Sequence, residues 1–161
     1  MLFRSGLAIL LTIGMATYAR YSSSVTGTGI VNVALYTNNA TFTIPNDSIP
    51  SQPGKISTID FSVTNTKEDK TAEVVQTYQL YIETAGNLPF TFELSKDNGA
   101  NWVTVNGNEI TTFNPVPELG MTTEKDEWKL KITWDKDKNG EEYVNELDYV
   151  KIKVKMQQKI K

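Results

Sequence analysis

The most specific chemical pattern in the chain lies in its last third. Asp135, Asp137, Asn139, Gly140 and Glu146 satisfy the twelve-residue calcium-loop spacing D-x-D/N-x-D/N-G-x5-E, with the Glu141 carbonyl at the seventh position. Calcium takes about six to eight oxygen ligands, and these side chains with a bidentate Glu146 supply that number around the turn a glycine permits. Two features weigh against it. The segment is flanked by strand-like alternation instead of helices, and Glu142 stands where such loops normally pack an apolar side chain. An acidic, glycine-containing turn between strands has the same composition, so calcium is the one cofactor expectation and a plain turn its alternative.

What is missing excludes more than this motif suggests. The chain has no histidine and no cysteine. A Ser-His-Asp or Cys-His triad therefore cannot form, and zinc loses the imidazole and thiolate ligands it prefers. Acid–base chemistry would have to come from paired carboxylates. Asp and Glu number 19, but nearly all sit in polar turns, where solvated carboxylates keep ordinary acidity. The expectation is a protein that is not an enzyme, with no catalytic residues. A net charge of −3 with scattered lysines also argues against nucleic acid as a partner.

Ser95-Lys96-Asp97-Asn98-Gly99-Ala100-Asn101-Trp102 fits S-x-D-x-G-x-x-W, which resembles the Asp box of sialidases and related propellers, where it stabilises a hairpin. It occurs once, with no blade-length repeat, so a tight turn with Trp102 folded onto it is expected. Trp128 and Trp134 fall in register with Leu130 and Ile132, which favours core positions over a carbohydrate-stacking platform. Asn39-Ala40-Thr41 and Asn46-Asp47-Ser48 are formal glycosylation sequons, meaningful only in a eukaryotic secretory route.

The elements that position these residues read as strands. Ile30 to Tyr36, Ile59 to Val63, Val74 to Thr84 with Tyr78, Leu80 and Ile82 on one face, Phe90 to Leu94, Trp102 to Val105, Trp128 to Trp134 and Val150 to Met156 read as strands by their apolar–polar alternation, with a short strand near Ile110 to Phe113. Asp97-Asn98-Gly99 predicts a hairpin joining the fourth and fifth. The last two long strands, each with lysines on the opposite face, are expected to pair, the lysines discouraging unwanted edge contacts. Only Val144 to Leu147 offers a turn of helix. The fold class is all-β: an antiparallel, jelly-roll-like sandwich of about eight strands, following an N-terminal signal helix.

Residues 1–19 carry Arg4, an apolar run and the small-residue ending Thr17-Tyr18-Ala19, the pattern of a secretory signal peptide cleaved between Ala19 and Arg20. The run is shorter than the ~20 residues a spanning helix needs, so membrane association is expected only through the uncleaved leader. Removing 19 of 161 residues leaves 142, enough for one domain, here 30–161. Between them, 20–29 reads as a polar arm containing Tyr21, Ser22, Ser23, Ser24, Val25, Thr26 and Gly27. A cysteine-free exported protein suits a bacterium with one membrane.

The junction Ala16-Thr17-Tyr18-Ala19 before Arg20-Tyr21-Ser22-Ser23, the Gly27-Thr28-Gly29 lead-in, Pro53-Gly54-Lys55 before Ile59-Asp60-Phe61-Ser62-Val63-Thr64-Asn65, and the closing strand from Tyr149 to Gln157 resemble the camelysin/TasA family of Gram-positive bacteria. The resemblance implies export through a SipW-type signal peptidase, a jelly-roll-like sandwich and assembly into matrix fibres, with 20–29 adding a strand to the next subunit. That arm's polarity also suits binding through backbone hydrogen bonds. The family's aromatic-Asn/Ser-Asp start is here Tyr21-Ser22-Ser23, without the acid. Camelysin's peptidase activity is not carried over to a chain without histidine. The expected function is a secreted, non-enzymatic fibre subunit or accessory that self-associates or joins a related subunit. A monomeric carbohydrate- or calcium-binding surface module is the alternative.

Overall fold

The computed structural model describes residues 31–34, 39–67, 70–122 and 124–159. The expected leader, its Ala19/Arg20 cleavage junction and the arm 20–29 lie outside the described residues. The strands are β1 (Val31–Ala34), β2 (Asn39–Thr43), β3 (Ile56–Thr64), β4 (Thr66–Lys67), β5 (Lys70–Thr71), β6 (Gln76–Thr84), β7 (Phe90–Ser95), β8 (Val103–Val105), β9 (Ile110–Thr111), β10 (Glu118–Leu119), β11 (Lys125–Trp134) and β12 (Val150–Gln158). Eight of these span three residues or more, which is the number the alternation predicts.

They form two facing sheets. The first has the order β1-β3-β11-β7-β8; the second has β10-β6-β12-β2, with β9 also on β6. The ladders of both sheets are antiparallel except β1 on β3, which is parallel. The short β4/β5 hairpin stands apart. From β1 to β7 successive long strands alternate between the sheets, and the chain crosses again through β9 and β10 and from β11 to β12, so most connections cross the sandwich in jelly-roll manner.

Period-two patterning explains the core. Ile59, Phe61, Val63, Phe92, Leu94, Trp128, Leu130 and Ile132 of the first sheet face Tyr78, Leu80, Ile82, Val150, Ile152, Val154 and Met156 of the second, all buried in one cluster. Trp128 stacks near Phe61 and meets Tyr78 edge-on, which ties the sheets together at one end. Burial of Trp128 and Trp134 bears out their reading as core.

Two expectations are corrected. β11 and β12 are not partners: β11 pairs with β3 and β7, and β12 with β2 and β6. Their apolar faces oppose each other across the core, an arrangement that one-strand alternation cannot distinguish from pairing within a sheet. The helical turns among the described residues are 3-10 turns at Asn46–Ser48 and Glu141–Tyr143, and Val144 to Leu147 follows the second in non-helical conformation.

Candidate functional site

Lysine alternation is expected to guard sheet edges, but the lysines occupy central strands. Lys129 pairs with Asp60 of β3 at 2.5 Å and Lys131 with Glu93 of β7 at 2.6 Å. In the second sheet Glu83 of β6 bridges Lys151, at 3.2 Å, and Lys153. Except at β10, which carries Glu118, the edges are different. β1 (VNVA), β2 (NATFT) and β8 (VTV) contain no charge and no proline. Among the described residues each pairs on one side only. β8 also exposes Val103, at 46%. A strand edge bare of lysine and proline lacks the usual protection against pairing with another chain.

β1 is the strand next to the expected arm. It runs parallel to β3, with Val31 opposite Phe61 and Ala34 opposite Thr64. A parallel edge strand has no tight hairpin binding it to its neighbour, so its attachment rests on that one ladder.

The calcium pattern is not gathered into a site. Asp135, Asp137, Asn139, Glu141 and Glu146 are all exposed along the connection from β11 to β12. Among the described residues no three His, Cys, Asp or Glu are grouped to hold a metal ion. Asp135 accepts the Asp137 amide at 3.0 Å, and Asp137 pairs with Lys136. The Glu141 carbonyl accepts the Val144 amide at 3.1 Å. Gly140 is extended (φ −65, ψ 162), not in the sharp turn the pattern's glycine serves. These residues do not fit the twelve-residue calcium loop.

The Asp box forms as expected. Asp97 Oδ1 accepts the Ser95 hydroxyl at 2.6 Å and the Asn101 amide at 2.8 Å, while Ser95 Oγ accepts the Gly99 amide at 2.9 Å. Asn98 and Gly99 take left-handed φ values of 58 and 90, and Trp102 covers Gly99. Hydrogen bonds from Ser95 and Asn101 lower the Asp97 carboxyl to about 2.

Sequence reasoning missed a polar chain at the opposite end of β11. Asp126 shares the inward parity of Trp128; it accepts the Tyr78 hydroxyl and pairs with Lys96 at 2.8 Å. Trp128 Nε1 in turn donates to Tyr78 at 2.8 Å. Burial first, then the hydrogen bond and charge of Asp126, pushes the Tyr78 phenol up, so it stays neutral. Glu83 is lowered chiefly by its hydrogen bond from Lys153, and Lys153 raised chiefly by the same bond. The two shifted carboxylates move away from the direction a general acid requires. Asn65 and Asp148 were also missed: each hydrogen-bonds a distant loop, and alternation carries no signal for such contacts.

A cleft of about 580 Å³ lies between the turn after β2 and the connection before β12. Ile49, Pro50, Trp134, Tyr143, Val144 and Leu147 line it. Asp148, at its side, is engaged by the Thr84 hydroxyl and the Ala85 and Leu88 amides.

No family model and no curated protein matches the chain. Among solved structures it is similar to the g-type lysozyme inhibitor PliG of Salmonella Typhimurium, a periplasmic protein (15% identity, TM-score 0.39, 82% of this chain and 100% of that one). It is similar also to PliG of Aeromonas hydrophila (11%, TM-score 0.38, 83% and 100%). A third likeness is to the pre-peptidase C-terminal domain of a Bacillus anthracis collagenase (9%, TM-score 0.36, 84% and 100%). Likenesses this distant carry no function to this chain. No helix among the described residues is long and apolar enough to cross a membrane.

Proposed function

We propose that this chain is an exported, non-enzymatic β-sandwich that serves as a subunit or accessory of an extracellular fibre and assembles by β-strand addition through residues 20–29. The carrying observation is the uncharged, proline-free composition of the edge strands β1, β2 and β8, while the lysines lie on central strands. An added strand gains backbone hydrogen bonds along such an edge whatever its side chains, which suits a polar arm rich in serine and threonine. The export signal at 1–19 would bring the subunit to the cell surface.

The test is deletion of 20–29 from the 20–161 protein, followed by electron microscopy and light scattering over days. Assembly should be lost while circular dichroism and the melting temperature stay unchanged. Lysine placed on an open edge, Thr41→Lys or Thr104→Lys, should slow assembly of the intact protein if that edge receives the strand. Fibres that form equally well without 20–29 would overturn the reading.

A further inference from the structure

We propose that the acidic connection between β11 and β12 of one copy docks on the lysine face of the second sheet of another copy.

The two outer faces of the sandwich are not electrically alike. Across the outward side of β3, β11 and β7 three lysines are matched by Asp60, Glu93 and Glu127, and each lysine has a carboxylate of its own: Lys129 with Asp60, Lys131 with Glu93, and Lys125 with Glu127 at 3.0 Å. Across β2, β12, β6 and β10 Lys151, Lys153 and Lys155 face Glu83 and Glu118, and Lys159, just past β12, pairs with Glu118 at 2.6 Å, which leaves a net of +2. Lys151 and Lys153 share that carboxylate, and Lys155 pairs with no carboxylate among the described residues. Alternation spaces the three about 7 Å apart in a row. Tyr81 lies opposite Lys153, and Ile110, 53% exposed, lies opposite Tyr81, so the row has an apolar margin.

The complement is on the same chain. Residues 135–148 hold six carboxylates and two lysines, a net of −4. Glu141, Glu142 and Glu146 are exposed and make no ion pair among the described residues. Between and beside them project Leu147, 82% exposed, and Val144, 63% exposed. No described ion pair joins this connection to Lys151, Lys153 or Lys155 of its own copy; Lys151 sits instead over the Tyr149 ring at 4.5 Å. Both surfaces are therefore left for another molecule.

A second copy suits them better than a polyanion. A +2 face on a chain of net −3 gives an anionic polymer little long-range attraction. Each copy, by contrast, brings the matching acidic knuckle with an apolar tip. Charge sets approach and register, while burial of Leu147 and Val144 against the Tyr81 and Ile110 margin supplies affinity. The two patches differ, so the contact is head-to-tail and can propagate. It rests on the reading that copies of this chain associate, but not on strand addition as the means.

The test uses full-length chain in two charge-reversed forms, Glu141→Lys/Glu142→Lys/Glu146→Lys and Lys153→Glu/Lys155→Glu, in sedimentation velocity. Each form alone should associate at least about tenfold more weakly than the parent, and their equimolar mixture should regain parental association. Salt at about 0.5 M should weaken the parent. If the paired lysine reversal impairs folding, Lys155→Glu and Leu147→Ser provide the same readout with the Glu83 pairs intact. Parental association by both forms, a mixture that stays dissociated, or a parent that stays monomeric, whether or not it binds polygalacturonate, would each overturn the contact. The first result leaves strand addition standing, since that reading fails only when loss of 20–29 leaves assembly unchanged.

Discussion

The Tyr78 hydroxyl is the residue on which one end of the sandwich closes, because it accepts from a buried indole and donates to a carboxylate on the facing sheet. Tyr78→Phe keeps the ring but leaves the Trp128 N–H without an acceptor inside the core. A destabilisation of about 1–3 kcal/mol is expected from urea unfolding, and a loss below about 0.5 kcal/mol would show that the hydroxyl is dispensable. Asp97 acts at the surface instead. Its carboxyl titrates near 2 in the folded chain against an ordinary 3.8, so the folded state binds the proton more weakly. Its contribution is complete above the unfolded value and disappears as pH falls from about 4 through 2. Melting curves across that window should show a loss that Asp97→Asn reduces, and equal slopes for both proteins would refute the assignment.

At the scale of elements, strands are held in place by polar residues at their ends as well as by the core. Asn65 follows β3 and is fully buried; its side-chain amide donates to the Gly120 and Thr122 carbonyls at 2.8 and 2.6 Å, and its Oδ1 accepts the Glu124 amide at 2.9 Å. It thus fixes the loop that feeds β11. Asn65→Ala leaves those groups without partners, and about 1–3 kcal/mol of stability should be lost. Faster amide exchange should be confined at first to residues 118–126, and uniform acceleration would contradict a local role. Asp148 performs the same service for the turn after β6. Neither residue breaks an alternating pattern, so neither was visible before the loops were brought together.

For the whole molecule, the connection between β11 and β12 crosses from one sheet to the other, and that crossing spreads the calcium pattern over an exposed loop. Calcium at millimolar concentration is therefore expected to leave the melting temperature unchanged. A rise that Asp135→Ala with Glu146→Ala removes would establish binding, since a ligand held only by the folded state stabilises it by mass action. The sequence alone determined the all-β class, the inward faces of the long strands, the Asp-box turn and the burial of Trp128 and Trp134. Each of these depends on a residue's neighbours within a few positions, through period-two alternation or local hydrogen bonds. Only the tertiary structure decided that β11 and β12 face each other across the core, that Asp126 lies on the inward side near Lys96, and that the uncharged strands β1, β2 and β8 are at the sheet edges. Alternation states which side of a strand is buried; which strands become neighbours follows from packing between sheets and from pairings distant in sequence.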